Sequence, residues 1–369
     1  MSVVAPERLD AKRGQAAALF EGACLRGVAR LSDMRPELGD DVLLHAGPPL
    51  DTHALPYPVR NAAVHALVYA GWPAGDAARA IDTDAIRFEP AQDHGVVTPL
   101  AQVVSNAMPV FRVGDERHEV AAPIAESAPP ALRFGSADEA CVIRLRQQAE
   151  WAFGALAPRL ADAPLPIRDW IDAALVEGDE CHARTGVANA RLISALGELP
   201  EDYAESIAAN ANFVLPILMA ASAWAIRRHR GSIAAVGGNG QRFGVRFDDE
   251  QDWRTVDARP PIGVALAGGE QLPVLGAVGD SPVIDFCGLG GQALAFAPAL
   301  VEAWEALLPA DWQERADAVS DDETGLVCRH RIAASGRSPL VHLALVSAAP
   351  EGGLAGRGFY TPPMALFRG

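Results

Sequence analysis

The sequence predicts a mixed α/β protein of the α+β kind, two α+β domains flanking a central helical subdomain, and three observations predict it. From about Glu139 to Arg230, apolar residues recur at helical spacing. On either side the apolar runs are short and closed by glycine or proline turns, as where Gly47-Pro48-Pro49 follows Val42–His45. A chain of 369 residues, half of them hydrophobic, exceeds one average core. The boundaries fall at 1–138, 139–231 and 232–369, the last domain carrying a glycine-rich loop.

Taken in order, Ala16 to Leu31 reads as an amphipathic helix that packs on the body or on another subunit. Val42–His45 is a short buried strand; helices at about Pro58–Ala70 and Ala74–Ala80 lead to a strand at Ala85–Phe88. Met108–Val113 is a strand, and Pro109, which lacks a ladder donor, places it at a sheet edge or at the strand's start. Ala121–Ala131, rich in alanine and proline, is a connector. The central block divides into helices Cys141–Leu160, Ile167–Leu196 and Pro216–Arg230. Asn210 and Asn212 precede the last of these and Gly231 closes it. The period then changes to two: Ile233–Val236 and Phe243–Phe247 form a hairpin around Gly237-Gly238-Asn239-Gly240. Short strands follow at Pro261–Ala267 and Pro273–Ala277. Val283–Cys287 reads as a strand, Gly288–Gly291 as a turn and Gln292 to about Leu307 as a helix; strands near Gly325–Ile332 and Leu340–Val346 and a glycine-rich segment, Gly352–Gly358, complete the chain.

Charge excludes several classes. The net charge is −16, and 30 of the 31 basic residues are arginine, leaving Lys12 as the single lysine. No lysine is left downstream for a phosphate loop or a Schiff base. No basic stripe exists for nucleic acid, and Arg227-Arg228-His229-Arg230 is accounted for as the cationic end of a helix. Five scattered cysteines without a Cys-x-x-Cys exclude a disulfide framework or zinc knuckle. The N-terminus has no charged-then-apolar signal pattern, and the longest apolar run, Phe213–Ile226, is too short to span a bilayer. A cytoplasmic protein without membrane segments is expected.

Candidate chemistry concentrates in Gly178-Asp179-Glu180-Cys181-His182-Ala183-Arg184, read as helical. A helical wheel turns Cys181 toward the apolar face, pairs Asp179 with His182 on one flank and sets Glu180 beside Arg184 on the other. An acid beside an imidazole raises its pKa and sets its tautomer, whereas Glu180 with Arg184 is also ordinary helix support. The polar loop Glu89–Gly95 presents Asp93 and His94 between apolar segments, as a site does, although a turn in which Asp93 caps its own backbone has the same composition. A strand, the glycines Gly288, Gly290 and Gly291 and a helix start make an anion cradle from free backbone amides. As a dinucleotide fingerprint Gly288–Ala293 is weak, because the preceding apolar run is short, contains Asp285 and leads into no βαβ unit. No cofactor is indicated, and no two histidines have metal-ligand spacing.

These motifs together resemble the AllG/YlbE-like family, from about Gly47 to Pro298 and less clearly to the C-terminus. The pieces that carry the resemblance are Gly47-Pro48-Pro49, Asp93-His94-Gly95, Met108-Pro109-Val110-Phe111, Leu132-Arg133-Phe134-Gly135, Gly178–His182 with Arg184, Met219-Ala220-Ala221, Asn239-Gly240, Phe243-Gly244, Gly279-Asp280-Ser281 and Gly288-x-Gly290-Gly291. The sequence departs from the family pattern at Ala91-Gln92 (usually Cys-His), Ala183 (Asn), Gly238 (Arg) and Asp285 (Glu). The resemblance implies a subunit of an oxamate carbamoyltransferase that interconverts oxalurate plus phosphate with oxamate plus carbamoyl phosphate in purine or allantoin catabolism. It also implies companion subunits resembling FdrA-type proteins and a homo-oligomer.

Carbamoyl transfer needs cations and amides for phosphate and carboxylate, a donor to the carbamoyl oxygen and a base for the attacking nitrogen. The expected acid–base groups are His94 or His182, oriented by Asp93 or Asp179, with Glu180 beside them. Arg60, Arg133 or Arg184 would pair the anions on the Gly288–Gly291 amides, and Asn239, Asp280 and Ser281 would contact substrate. A Cys181 thioester ranks lower. The alternatives are a non-catalytic assembly or ligand-binding subunit, which the lost polar positions favour, and a metal-dependent hydrolase using His94, Asp93, His182 and Glu180.

Overall fold

Helix α1 (Pro6–Ala18) ends in tight turns, and strand β1 (Cys24–Arg30) follows, so the expected helix over Ala16–Leu31 is not found: Ala16–Ala18 are the end of a helix that begins at Pro6, and most of the rest is turn and strand. The physical reason lies in β1, where burial alternates with period two and Leu25 points inward. The computed structural model describes residues 6–124, 129–229 and 233–368. Arg230, the stop at Gly231 and part of the Ala121–Ala131 connector lie outside the described residues.

After the single turn α2 (Leu31–Met34) come β2 (Val42–His45), helices α3 (Tyr57–Tyr69) and α4 (Ala74–Asp82), and β3 (Arg87–Pro90). β2 and β3 pair in parallel through those two helices, and β4 (Val104–Ser105) adds to the other edge. β5 (Pro109–Gly114) runs antiparallel to β1, with Pro109 opening it. β6 (Glu119–Pro123) pairs with β5 where a connector was expected. The central block then holds α5 (Ala140–Trp151), a wide turn, α6 (Ala157–Asp162), the short β7 (Leu165–Pro166), α7 (Arg168–Val176), α8 (Gly186–Leu196), α9 (Glu201–Ala209) and α10 (Leu215–Arg228). The helix expected over Ile167–Leu196 is therefore broken at 177–185.

The hairpin β8 (Ile233–Asn239) and β9 (Arg242–Phe247) forms as read, with Gly237–Asn239 inside the strand and the turn at Gly240-Gln241. β10 (Arg254–Asp257), β11 (Ile262–Ala265) and β12 (Val278–Gly279) follow. Val283–Cys287 is not a strand: Pro282–Phe286 forms α11, a short helix with Pro282 in its first turn. The expected helix Gln292–Leu307 shrinks to α12 (Pro298–Trp304) after two 3₁₀ turns, since Pro298 sets a new start. Gly325–Ile332 also fails as a strand: after α13 (Trp312–Val319) Val327 makes only an isolated bridge to Ser320, and α14 (Arg329–Ser335) takes the second half of the range. β13 (Val341–Val346) and β14 (Leu354–Tyr360) close the chain.

Among the described residues four small sheets result, ordered β6-β5-β1-β7, β3-β2-β4, β10-β9-β8-β12 and β11-β14-β13. The mixed α+β class is borne out. α10 lies at the centre: every residue from Pro216 to Ile226 is buried, and the helix packs on β5, β6, β8 and α11. An all-round apolar sequence belongs inside a protein, and here sheet strands from both halves cover it. The largest core joins residues from α1 through the final turn, another fills the β2–α3–α4 layer, and a third surrounds Trp304. We retain the division at 138/139 and 231/232 as a proposal about the chain's units. Among the described residues no helix is long and apolar enough to cross a membrane.

Candidate functional site

The Gly178–Arg184 motif is a loop, and its own acids shape it. Gly178 leaves α7 at φ +92, and the buried Glu180 carboxylate then accepts the backbone amides of His182 (3.3 Å), Ala183 and Arg184 (3.2 Å). In a helix those donors would go to backbone carbonyls; here one side chain gathers them. Cys181 is driven to φ +71, a left-handed conformation that costs a non-glycine residue about 1–3 kcal/mol. Asp179 accepts from Arg184 Nε (3.1 Å) and from the amide of Val187 (2.7 Å), in the first turn of α8. The pairing that a helical wheel predicts is thus exchanged: Asp179 meets Arg184, and His182 is left for another partner.

That partner comes from α11. His182 Nδ1 lies 2.8 Å from Asp285 Oδ2, while Asp285 Oδ1 accepts the amides of Gly291 (2.8 Å) and His342 (3.0 Å). The start of β13 sets His342 beside this loop, its Nδ1 2.8 Å from Glu180 Oε1. An ionised carboxylate only accepts, so Nδ1 donates in both pairs and each ring keeps Nε2 free. The two imidazoles lie 5.9 Å apart, centroid to centroid, and Trp304 meets His342 edge-on. The site's four side chains are buried, with Glu180 and Asp285 at 0 % exposure, His342 at 1 % and His182 at 6 %.

Burial acts to lower the pKa of His182, but the charge and hydrogen bond of Asp285, with the charge of Glu180, outweigh it and hold the imidazole above its ordinary range. For Glu180 burial acts upward, and the hydrogen bond and charge of His342, the charge of His182 and the Ala183 amide bring the carboxyl below its ordinary range. Burial, reinforced by Glu180 and Asp179, pushes the Cys181 thiol well up, which leaves no thiolate for a thioester.

The imidazoles wall a cavity of about 90 Å³ that Arg133, Asn212, Ser281 and Arg357 also line. That volume suits a small acid rather than a nucleotide. Arg357 has no ion-pair partner among the described residues, and Ser281 Oγ and His342 Nε2 are buried without hydrogen-bond partners. Ser281 is placed there by Asp280, whose buried carboxylate accepts from the Gly47 amide (2.8 Å), Gln92 Nε2 (2.6 Å) and the Thr98 amide (2.9 Å). Burial pushes Asp280 up to about 7 against those donors.

The family model for AllG, described as oxamate carbamoyltransferase subunit AllG, matches residues 86–281. The chain belongs to the AllG family. It is 26% identical to the uncharacterized protein YahG of Escherichia coli K12, over 93% of this chain and 80% of that protein. It is also 26% identical to the oxamate carbamoyltransferase subunit AllG of the same organism, over 88% of this chain and 87% of that one. A conserved protein of unknown function from Enterococcus faecalis V583, solved by crystallography, superposes with a TM-score of 0.86 at 25% identity over 98% of this chain and 96% of that one. Within this AllG-family chain the matched segment holds Glu180, His182, Arg133, Asn212 and Ser281, while Asp285, His342 and Arg357 lie beyond its end.

Of the residues singled out in the sequence, His182, Glu180, Arg133 and Ser281 meet at or beside this cavity, and Asp179 with Arg184 buttresses the loop. The others lie elsewhere. His94 pairs with Glu89 (2.7 Å), Asp93 with Arg246 (2.8 Å), and Arg60 with Asp82 (2.8 Å). Asn239 is spent on Pro48 O (2.7 Å) and on the Gln241 and Arg242 amides. The Gly290 and Gly291 amides donate inward, to Glu180 O and Asp285, and the Gly288 amide to Asp285 O, so these donors serve the protein's own acceptors. A side chain at Gly290 would collide with Asp285 Oδ1 at 2.3 Å, which explains glycine there. His94, Asp93, His182 and Glu180 share no ligand group: the cluster that could hold a metal, among the described residues, is His182, Asp285 and His342. Asp285 stood out in the sequence only as an acid by the glycine turn, and nothing marked His342.

Proposed function

We propose that this chain is the substrate-binding subunit of a carbamoyltransferase acting on oxamate-like small acids, with carbamoyl phosphate as the other product or donor. The observation that carries the reading is the pair of buried imidazole–carboxylate couples, His182–Asp285 and His342–Glu180, walling one small cavity together with Arg357. Family membership supports it, as does the name of the curated relative.

In this reading Arg357 and Arg133 hold the substrate's carboxylate and the phosphate. A phosphate oxygen attacks the carbamoyl carbon of oxalurate, the C–N bond to the oxamate nitrogen breaks, and protonated His182 supplies the proton that nitrogen takes up. In the reverse direction His182 recovers it. Ser281 orients the carbonyl. We further propose a homo-oligomer in contact with companion subunits of the FdrA type, acting in purine or allantoin catabolism. The test is oxalurate phosphorolysis with carbamoyl phosphate trapped, run on this chain alone and with the products of its neighbouring genes. Turnover in the mixture that His182→Ala removes, the fold being kept, supports the proposal. No turnover with an intact complex sinks it and favours the ligand-binding or assembly role, in which Glu180 and Asp285 only shape the loop.

A further inference from the structure

We propose that His182, His342 and Asp285 bind one divalent transition-metal ion, Zn²⁺ being the best fit, in the wall of the same cavity. The inference goes beyond carbamoyl transfer and does not require it. One donor atom of each residue lies within 4.8 Å of one donor atom of the other two. A tetrahedral ion with bonds of about 2.0–2.1 Å holds its ligand atoms about 3.3 Å apart. Closing the group therefore takes movements of about 1.5 Å or less, within reach of small side-chain rotations.

Two nitrogens, one oxygen and a fourth position facing a cavity are the set that catalytic zinc sites use. His342 Nε2 is an independent observation: it is buried, its residue is 1 % exposed, and it has no hydrogen-bond partner. Glu180 holds the opposite nitrogen of that ring, as carboxylates hold metal-bound imidazoles, and fixes the Nε2 lone pair for a ligand. A dication would also balance the charges of Glu180 and Asp285, both fully buried. With the ion in place His182 is a ligand, so the proton donation assigned to it above belongs to the metal-free chain.

The experiment titrates the chelator-stripped full-length chain with Zn²⁺ by equilibrium dialysis and with Co²⁺ by visible absorption, and scores folding by circular dichroism. One Zn²⁺ per chain, a tetrahedral Co²⁺ band that Zn²⁺ abolishes, and binding weakened about 100-fold or more in His342→Gln and His342→Ala are expected. His94→Ala should bind as the unaltered chain does. Well under one ion per chain, or binding unchanged in a folded His342→Gln, overturns the site. Zn²⁺ bound without any carbamoyl phosphate formed would sustain the site while the carbamoyl-transfer reading fell. Undiminished turnover by a chain that binds no Zn²⁺ would do the reverse.

Discussion

Two imidazole–carboxylate pairs of nearly equal length stand in different surroundings. His182–Asp285 spans 2.8 Å with side chains 6% and 0% exposed, and His94–Glu89 spans 2.7 Å with side chains 22% and 29% exposed. By sequence alone His94 has as strong a claim to function as His182. In the structure Arg35 holds the His94 carbonyl and Arg246 takes Asp93, so that loop is tied down by arginines, while His182 is turned into a cavity beside another such pair. Pairing distance alone therefore says little; what the pair faces, and how dry it is, decides its chemistry.

The largest effect should come from truncating the two histidines. His182→Ala is expected to lower turnover of the assembled enzyme by about 10²–10⁴-fold, and His94→Ala by less than about threefold. Steady-state kinetics on both variants checks this, and equal losses would erase the contrast. Next in size is stability. Asp285→Asn removes the charge of a buried pair and sets an amide NH2 among the donors its second oxygen accepts, and should cost about 3–5 kcal/mol in urea unfolding, whereas Glu89→Gln should cost about 1 kcal/mol or less. Arg357→Ala should raise the KM for oxalurate about tenfold with kcat little changed, as expected of a residue that binds ground and transition states alike.

Acid and base sharpen the contrast further. The raised pKa of His182 means that its share of stability is fully present below the ordinary imidazole pKa of 6.5 and is lost as pH rises through the folded value. His182→Gln should flatten that part of the stability profile, and His94→Gln should leave it in place. Asp280 offers an internal control away from the imidazoles. Its carboxyl, raised from 3.8 to about 7, should make stability relative to Asp280→Asn fall as pH rises between those values, by about 1.4 kcal/mol per unit at most, and level off above them. Parallel melts across pH 4–8 read both.

Much of the scaffold was legible. α3, α10 and the β8–β9 hairpin carry strong local signals, apolar residues at helical spacing or a glycine turn between period-two segments, and all three formed within a few residues of expectation. The failures have a common form. The helix expected through Gly178–Arg184 has the right periodicity, but Glu180 diverts three amides and Gly178 breaks the path. The strand expected at Val283–Cys287 is apolar enough, but Pro282 at a helix start and a place against α10 decide for helix.

By itself the sequence determined the class of protein, the buried central helix, the family likeness and the acids and histidine of the 178–184 loop, because composition and short-range spacing encode each of these. Only tertiary structure decided who partners whom. Asp285 reaches His182 across 103 positions, and His342 reaches Glu180 across 162. Such contacts leave no period in the chain. They arise because α11 packs between the central helix and β13, whose first residues bring His342 onto a loop that Glu180 has already bent to receive it.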